Sequence, residues 1–237
     1  MSIVELRQYT LHSGARETLI ELFEREFVTA QQAAGITVGG RFRDLDDPDR
    51  FVWLRALSDM AHRRRALEAF CTGPAWREHR DAANATMTDS DDVLLLPGPG
   101  FTPEPGTSEV LATACRPADA ADFDAYAARH LSPGHALHRT EHAENDFPRL
   151  PVRTREDARI WFDPADPPPW PTRRLRLEPV KPQPAHSRVG RAEARSNKWR
   201  VLLTCTSCRA RMGNGPSPDV DRPVPGTESC WDVSPMR

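Results

Sequence analysis

The sequence predicts an α+β protein made of ferredoxin-like α+β barrel repeats. Each is an antiparallel sheet with helices on one face, and the second is incomplete. Three observations carry this. Apolar periodicity over residues 3–96 runs in the order strand, helix, strand, strand, helix, strand. The order strand, helix, strand, strand returns from residue 109. Between the two lies "PGPGFTPEPGT", residues 97–107, a linker by composition. The implied organisation is a first repeat over 1–97, a linker over 98–108, a truncated second repeat over 109–181, and a tail over 182–237.

"IVELRQYTL", residues 3–11, is rich in β-formers, and Glu5, Arg7 and Tyr9 share one strand face. Ser13 is positioned to cap the helix that follows. From Ala15 to Ala34, Leu19, Leu22, Phe23, Phe27 and Ala30 fall at helical spacing, and Gly35 ends the helix. "ITVGGRFRD", 36–44, is a second strand whose Gly39 and Gly40 mark a bulge or a close backbone approach. "DDPD", 46–49, is a turn, with Asp47 before Pro48. "RFVWLRAL", 50–57, returns antiparallel. Ser58 and Asp59 start a helix over Met60–Phe70, "TGP" at 72–74 breaks it, and Pro74 opens another over 75–85. "DVLLL", 92–96, is a short apolar strand.

In the second repeat, "EVLATACR" (109–116) reads as strand and Ala118–Arg129 as helix, with Phe123 and Tyr126 on one side. "HALHRTEH" (135–142) and "ARIWF" (158–162) read as strands. The first repeat places 38 residues and two helical segments between Leu54 and Val93; the second has 12 residues between Phe162 and Leu175. Those 12, "DPADPPPWPTRR", carry five prolines, which forbid a helix. "LRLEPV", 175–180, is then a last strand without its preceding helix, and the uncovered sheet should expose apolar surface and pack less well.

Only 38% of the 237 residues are hydrophobic and 23 are proline, as expected of a folded part joined to a disordered one. From about Pro182 no periodicity survives, and the tail reads as disordered. A net charge of -2 gives no global drive toward nucleic acid, and "HRRR" at 62–65 reads as a solvated helix face. No run reaches the ~18 apolar residues of a membrane span, and "MSIVELRQYT" has no signal-peptide pattern. The odd count of five cysteines does not suggest a disulfide framework. These features together suggest a cytoplasmic protein with no membrane or nucleic-acid partner.

Two patches suggest a binding site. On the helix after Pro74, Trp76, His79, Arg80 and Ala83 share a face, with Asn84 beside Arg80. Such a group could orient an anionic or carbonyl-bearing ligand; equally, Trp76 could be a core anchor with His79 and Arg80 paired to acids at its rim. Arg7, Tyr9, Arg43 and Trp53 could line a space between sheet and helices, or form plain core. No metal site is expected: His135, His138 and His142 lie in a strand that splits them between faces, and "CTSC" at 205–208 lacks two further ligands at usual spacing. Glycine-rich nucleotide loops and a G-x-S-x-G elbow are absent from the sequence, which disfavours nucleotide-dependent chemistry and serine hydrolysis. No cofactor is expected.

"VELRQYTLHSG", "RFRDLDDPDRFVWLRAL", "WREHRDAANATM" and "EHAENDFPRLPVR" together resemble the NIPSNAP family of the dimeric α+β barrel superfamily, over about residues 3–181. The resemblance implies a two-copy bacterial member whose second copy is truncated. It implies a barrel of unassigned activity that binds a small apolar or aromatic ligand or a protein partner, as one chain or as a homodimer. The superfamily's cofactor-independent monooxygenases imply an alternative, an enzyme acting on a small aromatic or quinol substrate, with His79 as base and Arg80 beside it. A decayed, inactive copy is a third expectation.

Overall fold

The computed structural model describes residues 2–117, 120–131, 137–153, 157–162 and 166–181. The chain divides into two compact units, Met1–Pro184 with Glu228–Arg237, and Ala185–Thr227. Every described residue belongs to the first; the tail expected over 182–237, with its two "CTSC" cysteines, lies outside the described residues.

The expected α+β class is met, with an antiparallel sheet and helices packed on it. The first half contains β1 (Ile3–Leu11), α1 (Arg16–Leu22), a π-helical turn (Phe23–Phe27), α2 (Val28–Ala33), β2 (Thr37–Asp44), β3 (Arg50–Leu57), α3 (Met60–Cys71), α4 (Pro74–Asn84) and β4 (Met87–Pro97). The second contains β5 (Val110–Cys115), α5 (Ala120–His130), β6 (Leu137–Arg139), β7 (Arg159–Phe162) and β8 (Thr172–Pro179).

Local chemistry accounts for the element ends. Gly35, at φ +87°, closes α2 by donating to Gln32 O while Ile36 N donates to Gln31 O, a Schellman arrangement. Asp59 caps α3 by accepting from His62 N at 2.6 Å, and Pro74 opens α4. The β2–β3 register shifts between Val38 and Arg41, and a Cβ on Gly39 would meet the Phe101 carbonyl at 2.8 Å, so this glycine serves a close approach.

Several expectations are corrected. Ser13 does not cap α1; its N-cap residue is Ala15, without a side-chain bond, and Gly14 N instead donates to Asp49. The helix over 15–34 widens into a π turn where Val28 N reaches back to Phe23 O. β4 begins at Met87, five residues before the apolar run, because its polar half pairs with Gln8, Thr10 and Leu11 of β1. In "HRRR", Arg63 points inward and is fully buried.

All eight strands form one curled sheet, in the order β4-β1-β3-β2-β8-β5-β7-β6. The halves join edge to edge where β2 pairs antiparallel with β8, Arg43 opposite Glu178. At the other edge, Glu141 N donates to Leu95 O and Arg153 N to Val93 O, so the segment after β6 runs along β4 and draws the sheet ends together.

Three clusters result. Helices α1–α4 cover one face of the first half over Tyr9, Phe23, Phe27, Trp53 and Trp76, and the second half's Phe147, Leu150 and Val180 join that core. The inner face is filled from both halves, by Val4, Leu6, Leu54 and Leu94 against Val110, Ile160, Phe162 and Leu177. Helix α5 packs Phe123 and Tyr126 on Trp161. Among the described residues, the apolar exposure expected of the second half does not occur: Trp161 is fully buried, and the exposed large hydrophobic is Leu45, in the first half. The proline-rich run supplies the missing cover, with Trp170 packed on Phe123 and Tyr126 and the Tyr126 hydroxyl donating to Asp166 O.

Candidate functional site

The sheet's inner face changes character along its length, and strand periodicity sets the change. On β1 the inward residues are Val4, Leu6 and Gln8; their β4 partners are Leu96, Leu94 and Asp92. On β8 the series Leu177, Leu175, Arg173 pairs with Val110, Ala112 and Ala114 of β5, and two residues further along lies Arg116. Each row therefore runs from large apolar groups to polar or cationic ones toward one end.

At that end is a cavity of about 480 Å3. Its walls include Leu6, Leu94, Ala112, Ala114, Ala158, Ile160 and Leu175, with Gln8, Arg116, Arg153 and Arg173 among the polar lining. The space exists because the second half places alanines at 112, 114 and 158 where the first half faces them with leucines. The volume lies within the range of small-molecule sites, ~300–1,000 Å3.

Polar groups here are few. Gln8 is 5% exposed and its Oε1 has no hydrogen-bond partner. Arg153 Nη1 donates to Asp92 Oδ1 at 2.6 Å, and Arg173 Nη1 reaches Asp92 Oδ2 at 3.4 Å. Cys115 is buried and free, and burial pushes its thiol up to about 11. Burial thus favours its neutral thiol form.

Of the residues singled out from sequence, Arg7, Tyr9 and Trp53 do come together, on the opposite, helix-covered face of the sheet. Tyr9 and Trp53 meet edge to face at 6.0 Å, the Arg7 guanidinium lies 5.4 and 5.7 Å from their ring centres, and Arg7 Nε donates to Tyr9 Oη at 2.9 Å. They adjoin a buried charge cluster. Glu5 accepts from Arg7 (2.7 Å), Arg55 (2.7 Å) and Arg63 (2.6 Å), all fully buried or nearly so. Burial alone would raise the Glu5 carboxyl; Arg55, Arg63 and Arg7 together hold it well below the usual carboxylate range. Burial pulls Arg55 down to about 10 against the opposing effect of Glu5.

The α4 residues sit elsewhere. Trp76 packs on Phe27 and Phe70 at 5.4 and 5.5 Å. His79 lies against Phe27, 3.5 Å from Glu26, and Arg80 Nε is 3.4 Å from Asp81. Asn84 is half-buried at the helix end. Arg43 is bound to Glu17 on α1 at 2.6 Å. None of these eight residues lines the 480 Å3 cavity. Sequence reading missed Gln8 and the three arginines at 116, 153 and 173. The alternation Val4, Leu6, Gln8 was a visible signal for the first; the arginines come from three separate segments that only the fold brings together.

No group of three or more His, Cys, Asp or Glu able to hold a metal occurs among the described residues. His135 lies outside them, and His142 is exposed. No helix among them is long and apolar enough to cross a membrane.

A NIPSNAP family model matches residues 4–100, so the resemblance expected from sequence is met over the first half. Among solved structures, a NIPSNAP family protein from Agrobacterium tumefaciens is 17% identical, covering 44% of this chain and 99% of its own, at TM-score 0.39. A NIPSNAP-like domain protein from Burkholderia xenovorans is 25% identical, covering 43% and 89%, at 0.38. A monooxygenase-type protein from Lactobacillus acidophilus is 11% identical, covering 75% and 93%, at 0.47. No curated protein matches the chain.

Proposed function

We propose that the protein binds a small, largely apolar molecule inside its curled sheet, at the end marked by Gln8. One observation carries this reading: an alanine-walled cavity of about 480 Å3 whose lining turns polar, with Gln8, Arg116, Arg153 and Arg173, toward one end. A void made only by imperfect packing would be expected to be smaller and wholly apolar. Location in the cytoplasm and pairing with a second copy of the chain belong to the same proposal.

The oxygenase alternative has less support. Its chemistry needs a base on the pocket. The described lining residues include no His, Asp, Glu or Tyr, and His79 lies in the outer helix layer against Phe27.

Native mass spectrometry of the purified chain tests the proposal. An extra mass that disappears on denaturation, and is missing from Ala114→Leu, is the expected result. An Ala114→Leu protein that carries the same mass, or takes up an added apolar probe as well as the wild type does, would sink it.

A further inference from the structure

We infer that the molecule held in this cavity is an amphipathic acid, its apolar body along the alanine wall and its carboxylate at the arginine mouth; this rests on the pocket proposed above. Three observations combine. Among the described residues, the cavity lining contains three guanidinium groups and no carboxylate. They stand at the polar end of the rows described above, with Arg173 two residues beyond Leu175 on β8 and Arg116 two beyond Ala114 on β5. A ligand whose tail follows the apolar rows therefore delivers its head to these cations.

Arg173 is also held only loosely by the acid beside it. Asp92 is shared between Arg153, at 2.6 Å, and Arg173, at 3.4 Å. The second contact is longer than a strong charge-assisted bond, and the Arg173 side chain is 44% exposed. Arg173 can thus turn from Asp92 to a ligand carboxylate without giving up a tight pair. Its planar fork matches a carboxylate with two parallel bonds. Gln8 adds an uncharged amide side chain to the lining at this end.

An alcohol of the same length would keep the tail contacts and lose the charge. A cationic head would meet the loosely held Arg173 guanidinium. The head therefore selects among ligands, and the alanine wall sets how much apolar body fits.

The test is calorimetric titration of the full chain with decanoate, decanol and decylamine, using wild type, Arg173→Glu and Ala114→Leu. Arg173 is a half-exposed strand residue, so its replacement leaves the apolar core intact. Decanoate should bind about tenfold or more tighter than decanol, and decylamine least. Arg173→Glu should remove the preference for decanoate and leave decanol unchanged. Ala114→Leu should weaken both. Equal binding of decanoate and decanol, each weakened by Ala114→Leu, would overturn the acid and leave the pocket standing. Tightest binding of decylamine would also overturn it. Failure of all three probes, or indifference to Ala114→Leu, would overturn the pocket and the acid together.

Discussion

Arg63 on α3 donates to Glu5 on β1 at 2.6 Å, and neither side chain touches solvent. Glu5 also holds Arg7 and Arg55, so one carboxylate neutralises part of a buried group of three guanidiniums. Removing that carboxylate strands cations in a low-dielectric interior. Glu5→Gln should therefore cost roughly 3–5 kcal/mol, the usual cost of breaking a buried pair from one side. Urea unfolding measures it; a loss under about 1 kcal/mol would mean the cluster is solvated.

The same cluster sets an acid dependence. Burial acts to raise the Glu5 carboxyl, but the three arginines outweigh it and its native value lies well below the usual one. Near pH 4 the unfolded chain binds a proton at this position that the folded chain refuses, so folding stability rises with pH there. The contribution is fully present above the ordinary glutamate value of about 4.3 and is lost as pH falls toward the native value. Glu17 and Glu109 are also held down, first by bonds to Arg43 and Arg176, but they are exposed and screened. Urea midpoints at about pH 7, 5 and 3 should fall at the acid end in the wild type. The fall should be shallower in Glu5→Gln; parallel curves for the two proteins would assign the acid limb to other groups.

The elements of the first half were legible because local chemistry decides them: alternating β-formers at 3–11, the Gly35 cap, Asp59 before α3, Pro74 at the start of α4. The π turn was not, since Phe23 and Phe27 satisfy either helical period within so short a stretch. The polar start of β4 was not, because Met87–Asp92 are strand only by virtue of β1 beside them. The site was half legible. Strand parity separates Glu5, Arg7 and Tyr9 from Val4, Leu6 and Gln8, but parity alone does not say which face meets helices and which meets the second half. The solvated face expected of "HRRR" failed at Arg63 because its partners are 58 and 83 residues away, Glu5 and Asp146.

Arg63 also reaches across the halves. Its Nη1 donates to Asn145 and Asp146 at 3.0 Å each, and Asn145 orders its own turn through Phe147 N and Leu150 O. Phe147 and Leu150 thereby enter the first half's helix-side core, Phe147 at 7% exposure. Phe147→Ala should cost about 3 kcal/mol, within the range for buried aromatic truncation. Thermal unfolding should show the whole first half melting earlier. An unchanged Tm would mean the turn packs on the core without supporting it.

Trp170 tests whether the proline-rich run replaces a helix. Its ring lies 5.8 Å from Tyr126 and 6.3 Å from Phe123, which enclose Trp161 with it. Trp170→Ala should open this cluster and shift the Trp161 emission to the red as water reaches the indole. Because Trp170 is only partly buried, the expected loss is about 1–2 kcal/mol, below that of a fully buried Trp. Unchanged Trp161 emission would show that α5 alone suffices as cover.

Filling the cavity separates a ligand site from a structural fault by stability alone. Ala114 faces the inner space and is walled by other alanines, so a leucine there has room for three added carbons. In the bare protein, Ala114→Leu should raise stability by about 0.5–2 kcal/mol, as cavity-filling substitutions do. In protein that retains a ligand, the same change removes the ligand's stabilisation and the gain shrinks or reverses. Comparing Tm for wild type and Ala114→Leu, before and after stripping bound molecules by denaturation and refolding, therefore gives two differences. A gain that appears only after stripping is the expected outcome. A loss in the stripped protein would show instead that the inner space is already packed, because an added leucine would then strain it.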